Sequence, residues 1–201
     1  FGTAQNNNFV AQLKQMSGHP SDYPLKEYYR NIHATYDRVN RIFTFGRDVA
    51  WRKKAVKACL QSDPGSVLDV CTGTGDFILE VARKAGEEKR PIELTGYDFS
   101  APMLQVARRK LAGMTSREGI HMEFLEGDVR HMPFENDRFD AMGITFGIRN
   151  LVFENSHAEK HLQELYRVST PEVRMVLSCP PLTSEPAYKI FTFLFFFTVI
   201  P

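Results

Sequence analysis

A chain of 201 residues has the size of one domain with a single substantial core. Its 43% apolar and 24% charged residues are ordinary for a globular protein in water, and a net charge of +1 gives no overall attraction to a polyanion, which argues against a nucleic-acid partner. Three cysteines, Cys59, Cys71 and Cys179, form no C-x-x-C pair, which points to a reducing compartment and away from disulfides and zinc.

In chain order, the sequence begins at Phe1 rather than Met, and nothing in the first twenty residues resembles a secretion signal. Apolar and aromatic residues at helical intervals, Tyr29, Ile32, Tyr36, Val39 and Phe43, predict a helix over 25–43, and a second is expected over 48–60. Aromatic residues there stand beside Arg47, Arg52, Lys53 and Lys54, a combination that suits either a solvated basic face or rest on an anionic membrane. Asp37 reads as a general base or as an ion-pair partner of Arg38 and Arg41. Strands over 66–71, 92–98, 121–126, 138–145 and 173–179 then alternate with helices over 76–86, 101–112 and 155–168. Such alternation predicts an α/β fold with a doubly wound, mainly parallel sheet under a helical N-terminal cover. Residues 1–62 form that cover or substrate lid, and 63–201 the ligand-binding unit. His157 and His161 lie four apart on a helix without a third ligand at useful spacing, so no metal is expected and a solvated helix face accounts for them. The apolar run 190–200 is too short for a spanning helix, which needs roughly 20 residues.

The chemistry concentrates in Val67-Leu68-Asp69-Val70-Cys71-Thr72-Gly73-Thr74-Gly75-Asp76-Phe77, a strand entering a glycine turn and a helix. Gly73 and Gly75 can take positive φ and let main-chain N–H groups approach a ligand. A dinucleotide fingerprint would place a third glycine where Ile78 stands. Asp69 before the turn and Asp76 after it would oppose a pyrophosphate, and suit a ligand carrying an ammonium and a sulfonium. The next strand ends at Asp98, where a carboxylate can accept both ribose hydroxyls, while Ser100, followed by Ala101-Pro102, supplies the cap of the next helix. Asp128 ends the third strand and could accept an adenine amino group.

With these strand ends the chain resembles the class I S-adenosylmethionine-dependent methyltransferases. A narrower resemblance lies on both sides of the turn, in Tyr36-Asp37-Arg38-Val39-Asn40-Arg41-Ile42-Phe43-Thr44-Phe45-Gly46 and in Phe146-Gly147-Ile148-Arg149-Asn150. Both are similar to signatures of the ubiquinone/menaquinone biosynthesis C-methyltransferase family, over roughly residues 26–201. The resemblance implies S-adenosylmethionine as cofactor, S-adenosylhomocysteine as product, and C-methylation of a polyprenylated quinol, either demethylmenaquinol or the ubiquinone-pathway benzoquinol. Turn and resemblance together give Asp69, Gly73, Thr74, Gly75, Asp98, Phe99, Met103, Asp128, Val129 and Thr145 as cofactor contacts. Arg149, Asn150 and Tyr36 are expected to face the quinol. The alternatives are methylation of another small molecule and a non-catalytic S-adenosylmethionine-binding protein.

Two departures from the family pattern stand out. Ser169-Thr170-Pro171-Glu172-Val173-Arg174 replaces a glycine-containing turn, and the sequence stops where two further strands, one antiparallel, would follow. The last strands are therefore expected to be missing by truncation, with the Phe-rich end forming a helix and connection. The implied setting is a cytoplasmic enzyme that makes transient contact with the inner membrane face, alone or as a homo-oligomer.

Overall fold

A computed structural model describes residues 36–152, 155–179 and 196–200. Helix α1 (Tyr36–Phe43) and helix α2 (Arg47–Cys59) precede strand β1 (Ser66–Val70). There follow α3 (Asp76–Glu87), β2 (Ile92–Asp98), α4 (Ala101–Ala112), β3 (Ile120–Glu126) and β4 (Phe139–Thr145). Two helices, α5 (Ile148–Val152) and α6 (Ala158–Val168), lead to β5 (Ser169–Cys179) and β6 (Phe196–Ile200). The six strands lie in the order β3-β2-β1-β4-β5-β6, with β1 to β5 parallel and β6 antiparallel to β5.

Burial of the sheet on both faces explains the near-continuous apolar strands. All five residues of β1 are buried. Val67 faces a core filled by Phe77, Ile78, Val81 and Leu104 from α3 and α4. Leu68 and Val70 face a second core with Phe139, Met142, Leu165 and Val168. The chain runs from β1 outward through β2 to β3, then returns to place β4 on the other side of β1. That reversal is the switch point at which an open α/β sheet leaves a crevice at its carboxyl edge.

Three expectations need correction. First, residues 169–174 do not form a separate turn before the strand. β5 already starts at Ser169, and its register shifts so that Ser169 lies opposite Phe139 while Arg174 lies opposite Ala141. An irregularity in the β4–β5 pairing takes up the extra residues: five steps along β5, from Ser169 to Arg174, oppose two along β4, from Phe139 to Ala141. Second, Phe196–Ile200 is a strand, not a helix or connection, and pairs from Ile200↔Met175 to Phe196↔Cys179. Its aromatic and β-branched residues suit a strand, and β5 offers them an open edge. An antiparallel strand is thus present where the last strands were expected to be missing. Third, His161 is buried, with Nδ1 2.8 Å from the Leu151 carbonyl, so only His157 belongs to a solvated face. The expected helix over 25–35 lies outside the described residues.

Candidate functional site

The glycine turn is built by main-chain hydrogen bonds that leave one side open. Thr72 N–H donates to the Tyr97 carbonyl at 3.1 Å, and Gly75 N–H donates to the Thr72 carbonyl at 2.9 Å. Gly73 has φ 54° and Gly75 φ 79°, both in the region that favours glycine. Their surroundings differ. A Cβ on Gly75 would lie 2.9 Å from Ala107 Cβ, so this residue lets α3 and α4 pack closely. A Cβ on Gly73 would meet nothing within 4 Å, because Gly73 faces a crevice.

Opposite walls of that crevice come from either side of the switch point. One end is lined by Gly73, Asp98, Phe99, Met103, Thr145 and Asn150, together with Cys71, Phe146 and Gly147. The other is lined by Thr72, Thr74, Asp76 and Phe77 with Asp37, Asp48 and Arg52 from the N-terminal helices, and the two ends share Cys71, Gly73, Thr145 and Phe146. Cys71 (φ 57°) and Phe146 (φ 65°) both hold the left-handed conformation. Backbone strain at bulky residues concentrates where a site demands it. Phe146 is fixed there by donating its N–H to the Ser178 carbonyl at 2.7 Å. Gly147 lets the two turns meet, since a Cβ there would lie 2.4 Å from Cys71 Cβ.

Two buried carboxylates give the crevice its character. Asp98 accepts the Gly73 N–H and the Ser100 N–H, each at 2.8 Å, one on each oxygen. Burial raises its pKa despite those bonds. A carboxylate has about four lone-pair sites and the Phe99 N–H engages a third, so about one acceptor position remains for a ligand hydroxyl. Asp69 is fully buried and accepts the Thr72 hydroxyl at 2.6 Å, while its Oδ1 has no hydrogen-bond partner among the described residues. Burial lifts its pKa from 3.8 to about 7, with the nearby charge of Asp98 adding to the rise. A cationic ligand would favour the ionised form.

A chain of ion pairs closes the side next to α1 and α2. Lys110 Nζ lies 2.6 Å from Asp37 Oδ2 and 2.5 Å from Asp76 Oδ1, and Thr74 donates its hydroxyl to Asp37 at 2.6 Å. Arg52 bridges Asp76 at 2.9 Å and Asp48 at 3.3 Å. Asp37 is therefore held by Lys110 and Thr74 rather than by Arg38 and Arg41. Asp76 carries two cationic partners, so it is not the charge that would repel a pyrophosphate. That role falls to Asp69 and Asp98.

The expected residues thus separate by place. Gly73, Thr74, Asp98, Phe99, Met103, Thr145 and Asn150 line the crevice, whereas Asp69 and Gly75 lie just behind the turn. Asp128 accepts the Arg130 N–H at 2.9 Å and pairs with its guanidinium, which holds the carboxyl down to about 2. Neither Asp128 nor Val129 lines the crevice walls, although the Gly127 N–H donation to the Asp98 carbonyl brings their loop beside them. Arg149 is exposed on α5 next to Asn150. The side chain of Tyr36 lies outside the described residues. Ser100 occupies the cap position of α4 but makes no side-chain capping bond. The sequence reading missed Cys71, Phe146 and Gly147 as crevice walls, and the only available signal was their place immediately after β1 and β4.

The open face of Gly73 and the remaining acceptor capacity of Asp98 fit a nucleoside ligand with hydroxyls, and the carboxyl of Asp69 buried behind the turn favours one with positive charge. Comparison with known proteins narrows this further. The ubiE/COQ5 methyltransferase family matches residues 16–201. The chain is 38% identical to a demethylmenaquinone methyltransferase of Thermus thermophilus, over 86% of this chain and 73% of that protein. It is 35% identical to a ubiquinone/menaquinone biosynthesis C-methyltransferase UbiE of Geotalea daltonii, over 86% and 68%. In structure it resembles an S-adenosylmethionine-dependent methyltransferase of Methanosarcina mazei, with TM-score 0.51 and 20% identity over 61% of this chain and 55% of that one. It also resembles the [4+2]-cyclase SpnF, with TM-score 0.52 and 23% identity over 65% and 44%. A cyclase among the neighbours shows that the fold alone does not fix the reaction.

Proposed function

Because the chain belongs to the ubiE/COQ5 methyltransferase family, we propose that it transfers the methyl group of S-adenosylmethionine to a ring carbon of a polyprenylated quinol. The observation that carries this reading is the crevice at the switch point, where Gly73 and Asp98 from one half of the sheet face Thr145 and Asn150 from the other. When bound there, S-adenosylmethionine supplies an activated methyl on a sulfonium and leaves as S-adenosylhomocysteine.

The chain's own residues bind and orient. Asp98 accepts a ribose hydroxyl with its remaining lone pair, and the Gly73 backbone admits the ligand without steric cost. Asp69 supplies negative charge behind the turn. Thr74, Phe99, Met103 and Thr145 complete the cofactor contacts within the crevice, and Asp128 and Val129 reach the cofactor from the loop beside it. Asn150 hydrogen-bonds the quinol hydroxyl, and Arg149, one residue earlier on α5, stabilises the negative charge left on that oxygen as its proton passes to water; the ring carbon then attacks the methyl, that charge is neutralised with the sulfonium, and loss of the ring C–H proton to water restores the aromatic quinol. Tyr36 on α1 packs against the quinol, and residues 1–62 act as its lid. Holding carbon and methyl in line is the main contribution, an effect with a ceiling of roughly 7 to 11 kcal/mol.

No described helix is long and apolar enough to cross a membrane. The proposed setting is cytoplasmic, with transient contact at the membrane that holds the quinol. The test is transfer of labelled methyl to demethylmenaquinol and to the ubiquinone-pathway benzoquinol in parallel. Transfer to either supports the reading and identifies the ring. Tight S-adenosylmethionine binding with no transfer to either would overturn it.

A further inference from the structure

We propose that the corner between α1 and α2 docks on an anionic lipid surface, with Ile42 and Phe45 as its apolar tip. This deepens the quinol reading and rests on it, because a polyprenylated substrate is dissolved in lipid. Ile42 is 72% and Phe45 79% exposed, two of the three exposed large apolar side chains among the described residues. Phe45 is held outward by a tight turn. Its N–H donates to the Ile42 carbonyl at 3.1 Å, and the Gly46 N–H donates to the Arg41 carbonyl at 2.9 Å. Phe45 itself sits at φ 52°, the left-handed conformation with which this turn ends α1.

The charge around this tip has one sign. From Tyr36 to Leu60 there are seven Arg or Lys and two Asp, in a chain whose net charge is only +1. Both acids are already engaged: Asp48 is buried against Arg52 and also pairs with Arg41 at 3.5 Å, and Asp37 holds Lys110 and Thr74, so the unneutralised charge of this segment is basic. Arg38, Arg41 and Ile42 fall on one face of α1 at spacings of three and four, and that face leads on to Phe45. The outer face of α2 carries the exposed Lys53, Lys54 and Lys57.

A cationic face with apolar residues at its tip matches the headgroup boundary of an anionic bilayer, where both attractions act together. A nucleic acid would use the charge but gain little from Ile42. Position supports the same occupant, since Asp37, Asp48 and Arg52 from these two helices line the crevice. Docking at this corner sets the crevice beside the membrane from which a prenylated quinol must enter.

The experiment is co-sedimentation of the full chain with phosphatidylcholine vesicles, with and without phosphatidylglycerol, at low and high salt. Binding is expected only with phosphatidylglycerol and should weaken at high salt. Two variants, Ile42→Ser/Phe45→Ser and Lys53→Glu/Lys54→Glu, should each lower partitioning by about tenfold. Both should slow transfer to vesicle-embedded quinol by a larger factor than transfer to a short-chain quinol in solution, and the ratio of the two rates separates lost docking from any disturbance of the lid to which these residues belong. Equal binding to neutral vesicles, undiminished binding by folded variants, or displacement of the wild type from vesicles by single-stranded RNA would overturn the lipid surface. Vesicle binding that obeys the pattern, with no methyl transfer to any quinol, would sink the quinol reading and leave the lipid surface standing.

Discussion

At the scale of single residues, Asp69 carries the sharpest consequence. Burial lifts its carboxyl from 3.8 to about 7, so between about pH 4 and pH 7 the folded chain binds a proton that the unfolded chain has released. Stability from this group is therefore greatest below the unfolded pKa, falls as pH rises to about 7, and is flat above. One pKa unit corresponds to about 1.36 kcal/mol, which sets a ceiling of about 4 kcal/mol for the whole window. Asp69→Asn keeps the shape and an acceptor for the Thr72 hydroxyl but cannot ionise. Urea unfolding at pH 4.5 and pH 8 should show the difference between variant and wild type moving in the variant's favour by about 2 to 4 kcal/mol across that range. The same substitution should lower S-adenosylmethionine affinity at least about tenfold at pH 8, because a neutral amide offers a cationic ligand no charge. An unchanged pH slope would mean that Asp69 does not titrate as its burial requires. Asp98 differs in kind, since amide donors from Gly73 and Ser100 already occupy one position on each of its oxygens. It arranges the turn and offers what remains to the ligand.

Among the elements, α6 is tied to the connection between β3 and β4 by one ion pair with several duties. Glu164 accepts the Met132 N–H at 3.0 Å and pairs with Arg167 at 2.8 Å, and Arg167 also donates to the carbonyls of Phe134 at 2.7 Å and Met132 at 3.0 Å. The Arg167 guanidinium holds the Glu164 carboxyl down to about 2. The contribution of this pair is present above the unfolded carboxyl value of 4.5 and is lost as pH falls toward 2. Arg167→Met would leave a largely buried carboxylate and two carbonyls without their donor, and should destabilise the fold by about 3 kcal/mol at pH 7, with a smaller loss at pH 3. Chemical denaturation at the two pH values checks this. The Glu164–Arg167 pair, one helical turn apart, is legible in sequence, but the bonds to Met132 and Phe134 are not, because they join residues more than thirty positions apart. What was legible is what repeats locally: β1, the glycine turn, α3, β2 and α4 follow from apolar runs, glycines and helical spacing. By contrast α5 is five residues long, too short for periodicity to register. The irregularity that starts β5 at Ser169 depends on the partner strand β4, and β6 depends on the free edge of β5. Within the site, Gly73 and Asp98 announced themselves by residue type, whereas Cys71 and Phe146 became crevice walls only through the folded path of the chain.

Over the whole molecule, the N-terminal helices and the ligand-binding unit meet at Lys110. Its ammonium lies between Asp37 of α1 and Asp76 of α3, Asp37 holds the Thr74 hydroxyl in the glycine turn, and Arg52 of α2 returns the chain of contacts to Asp76. Cover and turn therefore share one set of charges at the crevice wall. Each pair alone is about one-third exposed and, screened by water, would contribute at most about 1 kcal/mol. The arrangement matters more than the sum, because removing Lys110 leaves two carboxylates facing the same gap. Lys110→Met should lower the melting temperature by about 2 to 6 °C, a loss of 1 to 2 kcal/mol for a domain of this size. It should also raise KM for S-adenosylmethionine by about 3- to 10-fold with a smaller change in kcat, since the turn is displaced while the quinol-facing residues on α5 are not. Lys110→Arg, which restores the charge, should recover most of both losses, and the gap between Met and Arg variants should narrow at high ionic strength. A lower melting temperature with unchanged KM would make Lys110 a purely structural tie. The KM shift together with its rescue by arginine is what would establish that the cover helices set the geometry of the glycine turn.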